Sequence, residues 1–246
     1  GMGGIGTAIC QRLHKEGFTV VAGCGPTRDH AKWIAEQKEL GYTFYASVGN
    51  VGSWDATVEA FAKTKAEHGT IDVLVNNAGG AIGVDPVIDA DLIDWRRMYE
   101  VNVLGTVSVT QAFAPALIAS GAGTIINIGS TAGHSTYEGG GGYVAAKHGL
   151  RAVTETLRLE LNGLPVRISE VAPGMVHTEE FSLNRFSGDA DLADSVYAGV
   201  DAPLLAEDIA DAVDWIATRP DHVNIDLMVV RPIAQASNWK VARNSD

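Results

Sequence analysis

The chain has 246 residues, of which 46% are hydrophobic and 20% charged, and its formal net charge is −12 at pH 7. This length suits a single α/β domain, and the negative charge argues against nucleic acid or an anionic membrane surface as a partner, since like charges repel. No apolar run reaches the roughly 18 residues needed to span a bilayer and no signal peptide is evident, so a cytoplasmic protein is predicted.

Short apolar runs alternate with longer helical patterns along the chain. β-branched residues fill most of the runs, as is typical of strands buried on both faces of a parallel sheet. In chain order the prediction is a helix over residues 7–16, strands over 18–22 and 42–48, a helix over 53–68, and strands over 71–75, 124–128, 166–171 and 227–230. Gly17 and Gly69 follow the two helices, as terminating glycines do. The alternation predicts an α/β fold with a doubly wound parallel sheet of the Rossmann type in one domain.

The cysteines and histidines of the chain predict neither disulfides nor a metal site. Cys10 and Cys24 are too few for a disulfide framework and lie in separate elements, which indicates a reducing compartment. The seven histidines include no pair at metal-ligand spacing, so no metal site is predicted.

A glycine-rich segment, Gly1-Met2-Gly3-Gly4-Ile5-Gly6, leads into the first predicted helix. Glycines there let the backbone approach a pyrophosphate, and the helix N-terminus stabilises its charge. Gly4, Ile5 and Gly6 are therefore candidate cofactor contacts, although glycine-rich turns are also common where no nucleotide binds.

In a dinucleotide-binding sheet this loop follows a central strand, and here no strand precedes it. Losing several buried apolar side chains at ~1.5–3 kcal/mol each would rival a net stability of ~5–15 kcal/mol. Either upstream residues are absent from the sequence, or Gly1 is an expression remnant before a start at Met2; we favour a truncated version of a longer ancestor. We expect an empty position between the strands at 18–22 and 71–75, or closure by movement of a neighbour.

Tyr143 and Lys147 are four residues apart at the start of a helical pattern, so their side chains share one face. A tyrosine can take part in proton transfer, but a free phenol with a pKa of ~10 suits neutral pH poorly. The Lys147 ammonium would stabilise the phenolate, and Ser130, at the end of a predicted strand, can orient the substrate oxygen. A surface tyrosine–lysine pair is the alternative interpretation.

Further motifs accompany this set. They are Asn76-Asn77-Ala78-Gly79 after a strand, Asn102 within Val101-Asn102-Val103-Leu104-Gly105, Ser130 thirteen residues before Tyr143-Val144-Ala145-Ala146-Lys147, and Pro173-Gly174 followed by Thr178. With the glycine loop, these motifs resemble the short-chain dehydrogenase/reductase family over essentially the whole chain. Each is weak alone, and together they occur in the family's order and spacing.

The resemblance implies roles for individual residues. Tyr143 is the acid–base residue, Lys147 also bonds the nicotinamide ribose, and Asn102 holds a water in a proton relay, unless it only kinks or caps a helix. The other implied cofactor positions are Asn50 and Val51 beside the adenine, Asn77, Ala78 and Gly79 beside the sheet, and Pro173, Gly174, Val176 and Thr178 near the nicotinamide. It further implies a homodimer or homotetramer through helices around residues 102–119 and 143–161.

The residues that follow the predicted strand at 18–22 indicate whether the cofactor is NAD or NADP. An NAD enzyme usually has an acidic residue about twenty residues past the glycine loop. Here the stretch reads Gly23-Cys24-Gly25-Pro26-Thr27-Arg28, with no acid before Asp29. Arg28 could meet a 2′-phosphate or could be a solvated loop arginine. NADP(H) is the predicted cofactor.

The resemblance changes along the chain. Residues 1–75 look like acetoacetyl-CoA reductases. This similarity is carried by the motifs Gly3-Gly4-Ile5-Gly6-Thr7-Ala8-Ile9-Cys10 and Val20-Val21-Ala22-Gly23-Cys24-Gly25-Pro26. The remainder looks like dehydrogenases of serine and 3-hydroxy acids, a similarity carried by Ile128-Gly129-Ser130-Thr131-Ala132-Gly133 and Thr178-Glu179-Glu180-Phe181-Ser182. Recombination of two relatives and divergence within one lineage both explain this change.

The predicted substrate lid, residues 178–201, carries six acids against one base, Arg185. Such a lid repels the phosphates of coenzyme A, so a small 3-hydroxy acid is the favoured substrate. The alternatives are a 3-oxoacyl-CoA (acetoacetyl-CoA) reductase and a catalytically silent nucleotide-binding protein of the same fold. Gly139-Gly140-Gly141-Gly142 with Tyr137 forms either an adaptable wall beside the reacting carbon or only a loop.

Overall fold

Parallel strands and helices alternate throughout the computed structural model, which describes residues 1–244, the side chain of residue 179 excepted. The strands are β1 (Val20–Cys24), β2 (Phe44–Val48), β3 (Val73–Asn76), β4 (Gly123–Ile128), β5 (Val166–Pro173) and β6 (Leu227–Val230). The helices are α1 (Gly4–Lys15), α2 (His30–Glu39), α3 (Trp54–His68), α4 (Leu92–Tyr99), α5 (Gly105–Ser120), α6 (Gly141–Glu160), α7 (Glu179–Arg185), α8 (Ala190–Ser195) and α9 (Ala206–Ala217). The predicted α/β fold of the Rossmann type is confirmed.

The six strands form two parallel ladders. β1 pairs with β2, and β3, β4, β5 and β6 pair in that order, while no backbone ladder joins β1 to β3 within residues 1–244. One hydrophobic core nevertheless spans both ladders, because Ala22 of β1 and Ile126 of β4 belong to the same buried cluster as Ile209 of α9. The predicted single sheet is therefore divided at the position between β1 and β3.

Local sequence explains where the predicted helix α3 begins and ends. Ser53 caps α3 by accepting a hydrogen bond from the Ala56 backbone amide at 3.4 Å, and Gly69 ends this helix at a φ of 79°. Such a positive φ is easily adopted only by glycine. α1 begins at Gly4, three residues before the predicted start, so the last part of the glycine loop is the first turn of the helix.

A buried chain of amides and hydroxyls holds the central strands to the helices that cover them. Asn76 Nδ2 at the end of β3 donates to Asn127 Oδ1 of β4 at 2.9 Å and to Thr110 Oγ1 of α5 at 3.1 Å. Asn127 Nδ2 in turn donates to Thr154 Oγ1 of α6 at 2.8 Å. Polar groups without water must find such partners, and this network fixes the strand ends that carry the site.

By length and composition, residues Leu92–Ser120 are apolar enough to cross a membrane, with a window of mean hydropathy 1.5. The prediction that no stretch of this kind exists is therefore wrong. The hydropathy is explained by packing, because α5 lies against β3, β4 and α3, and α4 lies against α6. These contacts are those of helices that cover a sheet.

Candidate active site

The glycine loop meets the carboxyl ends of two strands. A Cβ on Gly6 would lie 2.8 Å from the Gly1 carbonyl oxygen and 3.0 Å from Asn77 Nδ2, and one on Gly4 would lie 3.0 Å from Thr178. Only glycine therefore fits at residues 4 and 6 without displacing a neighbour. Gly3, the N-cap of α1, provides no side-chain cap, so the backbone N–H groups of the first turn remain suited to an anion.

The segment after β3 passes directly over Asn102 and Lys147. A Cβ on Gly79 would lie 2.5 Å from Asn102 Oδ1 and 3.4 Å from Lys147 Nζ. Ala78 and Gly79 are exposed, whereas Asn77 is half-buried against the glycine loop. The structure thus brings the predicted cofactor positions 77–79 to the predicted catalytic residues.

Asn102 is fully buried in a π-helical turn, Glu100–Leu104, between α4 and α5. Its Nδ2 donates to the carbonyls of Met98 at 2.8 Å and Gly80 at 2.9 Å, and its Oδ1 accepts from the Gly80 amide at 3.3 Å. The widened turn and the amide bonds fix the loop after β3 to the helix. Asn102 therefore interrupts the helix, as one sequence interpretation has it, and also lies near Lys147, while its part in a proton relay stays a prediction. A π-helical turn of this kind frequently marks a functional site.

Tyr143 lies in the first turn of α6 and faces Ser130 beyond the end of β4. Burial raises the pKa of Tyr143 above its ordinary value, and a hydrogen bond with Ser130 lowers it in part. Ser130 Oγ also accepts from the Ala132 amide at 3.1 Å, which orients the hydroxyl. The expected convergence of these two side chains is present. The pKa of Tyr143 is thus raised, and not lowered as expected from the Lys147 ammonium, so the phenol holds its proton at neutral pH.

Lys147 lies one turn further along α6 and is 5% exposed. Its ammonium donates to the Ile128 carbonyl at 2.9 Å and lies 5.7 Å from the centre of the Tyr143 ring. Burial lowers the pKa of Lys147 to about 8, and the charge of Glu170 opposes this effect. Lys147 is therefore adjacent to both Tyr143 and the cofactor segment at Gly79.

Glu170 was not predicted as a site residue. It is 3% exposed on β5, and its Oε1 lies 3.0 Å from His134 Nε2. A Cβ on Gly129 would overlap the Glu170 carboxylate, so glycine at residue 129 provides the space for it. The signal was present in the sequence, because a carboxylate inside an apolar strand at 166–171 is rarely buried without a partner.

The glycine run before Tyr143 is tightly packed. A Cβ on Gly140 would lie 2.5 Å from the Tyr137 ring, and one on Gly141 would lie 2.9 Å from Trp95. Gly139 has a φ of 70°, which favours glycine. Close approach of these aromatic rings to the start of α6 explains the run, so it forms a wall of the cleft that contains Tyr143.

Arg28 forms an ion pair across the mouth of the cofactor region. Its Nη1 and Nη2 lie 2.9 Å and 3.2 Å from the two carboxylate oxygens of Glu180 on α7. A 2′-phosphate would therefore compete with Glu180 for the Arg28 guanidinium. Sequence spacing did not suggest this contact with Glu180.

Asn50 and Val51, the predicted adenine positions, lie at a neighbouring turn. There Asn50 Oδ1 accepts a hydrogen bond from the Gly52 amide at 3.0 Å.

The segment after β5 connects the sheet to the predicted lid. Pro173 ends β5, and the Gly174 amide donates to the Val230 carbonyl at 2.7 Å. The Val176 carbonyl accepts from the Tyr197 hydroxyl at 2.8 Å, which ties the segment beyond α8 to this loop. Thr178 is the N-cap of α7 and packs against Gly4. These positions are consequently held beside the glycine loop.

The lid helix α7 reaches the catalytic cleft through its last two turns. The Phe181 and Tyr143 rings are 5.8 Å apart in an edge-to-face arrangement. Arg185, one turn further, is close enough to lower the pKa of Tyr143. Within the described part of the chain, no group of three or more His, Cys, Asp or Glu side chains could hold a metal, and Cys10 and Cys24 are free and buried.

Comparison with known proteins agrees with this geometry. Residues 1–185 match the short chain dehydrogenase family. An uncharacterised oxidoreductase of Mycobacterium tuberculosis is 50% identical over 95% of this chain and 89% of its own, and an NADP-dependent 3-hydroxy acid dehydrogenase of Salmonella typhi is 39% identical over 95% and 92%. The closed form of a serine dehydrogenase complexed with NADP+ has a TM-score of 0.89 and is 37% identical, covering 99% of this chain and 97% of that one.

The similarity to serine and 3-hydroxy acid dehydrogenases bears out that part of the resemblance seen in the sequence. The resemblance of residues 1–75 to acetoacetyl-CoA reductases remains a prediction. Both the family match and the coverage of relatives above 30% identity extend over most of the chain. The chain belongs to the short-chain dehydrogenase family.

Proposed function

We propose that the chain is an NADP(H)-dependent oxidoreductase that interconverts a small 3-hydroxy acid and the corresponding 3-oxo acid. The observation that carries the proposal is the convergence of Ser130, Tyr143 and Lys147 beneath the cofactor segment at Gly79. The names of its relatives, an NADP-dependent 3-hydroxy acid dehydrogenase and a serine dehydrogenase, support the cofactor and the substrate class.

The residues at the strand ends fit a dinucleotide. Gly4 and Gly6 leave the backbone open at the N-terminus of α1, which suits a pyrophosphate, and Gly79 leaves space above Lys147 that a side chain would fill. NADPH bound there would supply the hydride. Lys147 and Asn77 would hold its nicotinamide half, Arg28 would hold its 2′-phosphate, and Val176 and Thr178 would adjoin its amide.

The protein side of the chemistry is proton transfer at one oxygen atom. Ser130 donates a hydrogen bond to the substrate carbonyl and fixes it near Tyr143. The Tyr143 hydroxyl then gives its proton to that oxygen as the ketone becomes an alcohol. Lys147 stabilises the resulting phenolate because its ammonium lies against the Tyr143 ring, 5.7 Å from the ring centre. The Phe181 ring, whose centre lies 5.8 Å from that of Tyr143, would strengthen both interactions by displacing water from this side of the phenol.

Exposed apolar side chains support the predicted assembly of several copies. Tyr99, Val101 and Leu104 are exposed apolar side chains along the helical segment that includes α4 and α5. We infer that a second copy covers them in a cytoplasmic homodimer or homotetramer, since contiguous apolar surface marks interfaces. Analytical ultracentrifugation tests this inference, and a monomer at micromolar concentration contradicts it.

The proposed reaction is tested by following NADPH oxidation with neutral ketones, 3-oxo acids and acetoacetyl-CoA. We expect the 3-oxo acids to give the highest kcat/KM. A preference for acetoacetyl-CoA would instead support the reductase suggested by residues 1–75. Binding of NADPH without turnover of any carbonyl compound would indicate a silent member of the fold.

A further inference from the structure

We propose that Arg185 binds the substrate carboxylate and thereby selects 3-hydroxy acids over neutral alcohols. This inference rests on the proposed function and adds the group that recognises the acid. It is carried by the position of the guanidinium on the lid, by the absence of a carboxylate partner among the described side chains and by its hydrogen bonds to the walls of the cleft.

Helix geometry directs Arg185 toward the reacting oxygen. Phe181 and Arg185 are four residues apart and therefore share one face of α7. The Phe181 ring contacts the Tyr143 ring at 5.8 Å between centres. The guanidinium consequently lies one helical turn from the contact with the proton donor, and its charge reaches the Tyr143 hydroxyl. In a 3-hydroxy acid the carboxylate is likewise only two bonds from the carbon that bears the hydroxyl.

The guanidinium is held firmly at this place. Arg185 Nε donates to the Gly83 carbonyl at 3.2 Å, and Nη2 donates to the Gly139 carbonyl at 3.3 Å. The Arg185 carbonyl also accepts from the Gly83 amide at 2.9 Å. The guanidinium carbon lies 5.6 Å from the centre of the Tyr137 ring. A charge fixed in this way loses little conformational freedom when it binds a ligand.

Charge balance points to an anionic ligand. Arg185 is half-buried, and among the described side chains no carboxylate lies within 4 Å of it, although Asp85 is near Gly83. A guanidinium has five N–H donors, and the two backbone carbonyls engage only Nε and one N–H of Nη2. The remaining donors suit a carboxylate, with which arginine forms its strongest and most directional hydrogen bonds. Arg185 is the one basic residue of the otherwise acidic lid sequence, so it is the lid residue that can attract an acid.

The experiment compares 3-hydroxybutyrate with its methyl ester, which lacks the negative charge and carries one additional methyl group. The variants are Arg185→Met, which keeps the stem on Tyr137, and Arg185→Lys, which keeps the charge. Arg151→Met is the matched control, because Arg151 is paired with Glu155 at 2.8 Å on the exposed side of α6. Binding of butyrate to the NADP+-loaded protein, measured by calorimetry, gives a readout independent of turnover.

For Arg185→Met we expect KM for 3-hydroxybutyrate to rise about 10- to 100-fold, the size of an interaction with a charged partner, with KM for the ester unchanged. Butyrate binding should weaken by a similar factor, Arg185→Lys should restore part of it, and Arg151→Met should behave as the wild type. Equal losses for acid and ester would show a purely structural role for Arg185, and no loss for either would exclude any role; both overturn the inference. A wild-type chain that oxidises the ester but not the acid overturns the proposed function instead.

Discussion

The Oε1 atom of Glu170 lies 3.0 Å from Nε2 of His134, and the carboxylate fills the space that a side chain at residue 129 would occupy. Glu170 is also close enough to Lys147 to affect its titration. Burial lowers the pKa of Lys147, and the negative charge of Glu170 raises it. The buried carboxylate therefore supports the charged form of a lysine on which the proposed chemistry depends.

Replacing Glu170 by Gln should move the alkaline limit of ketone reduction to lower pH. The pKa of Lys147 is about 8 with Glu170 present, and loss of the negative charge lowers it further. Because the lysine must be protonated to stabilise the phenolate, activity should then decline earlier as pH rises. The pH profile of kcat/KM measures this shift, with the exposed Glu155→Gln as control. An unchanged pH profile would show that the charge of Glu170 does not affect the titration of Lys147.

Gly129→Ala should destabilise the fold by about 1–3 kcal/mol, the usual cost of overfilling a packed site. The added methyl group overlaps the carboxyl group of Glu170, whose Cδ would lie 2.8 Å away. The double variant Gly129→Ala with Glu170→Ala should lose less unfolding free energy than the sum of the losses in the two single variants. Urea unfolding of the four chains gives the coupling energy, and simple additivity would contradict the steric explanation.

Tyr143→Phe should abolish turnover and leave the affinity for NADPH near normal. The substitution removes the hydroxyl that faces Ser130 but keeps the ring against Phe181. Steady-state rates and fluorescence titration of NADPH measure the two properties separately. Tyr45→Phe, at an exposed position on β2, is the control. Substantial turnover by Tyr143→Phe would exclude this residue as the proton donor.

NADPH should be used with a higher kcat/KM than NADH, and Arg28→Ala should narrow the difference. Glu180→Gln should widen it, because the 2′-phosphate then competes with no carboxylate for the Arg28 guanidinium. Rates with both cofactors over the three chains provide the measurement. Equal use of the two cofactors, unaffected by either substitution, would rule out the 2′-phosphate role.

Lys147 should leave a signature in the pH dependence of stability. Between pH 8 and 10.5 the unfolded chain holds a proton on Lys147 that the folded chain has released, because burial lowers its pKa from 10.5 to about 8. The free energy of unfolding of the wild type, relative to that of Lys147→Met, should therefore increase with pH across this window. Denaturant titrations at several pH values test this. A constant difference would mean that the ammonium is not desolvated in the fold.

Several features could be predicted from the sequence because their cause is local. Apolar strand composition and terminating glycines such as Gly69 located the elements to within two or three residues. Helical spacing placed Tyr143 and Lys147 on one face of α6, and the position of Ser130 at the end of a predicted strand suggested that its hydroxyl orients a substrate oxygen. These inferences need only the pitch of a helix and the direction of parallel strands.

The remaining features depend on contacts between distant segments, which no local pattern encodes. Arg28 meets Glu180, Arg185 bonds Gly83 and Gly139, and Glu170 approaches residue 129, each across many residues of chain. Side-chain partners of this kind are chosen by packing of whole elements against one another. The sequence by itself determined the family, the fold class and the candidate set Ser130, Tyr143 and Lys147, whereas the tertiary structure alone decided which charges are paired, which are buried and which lie near Tyr143.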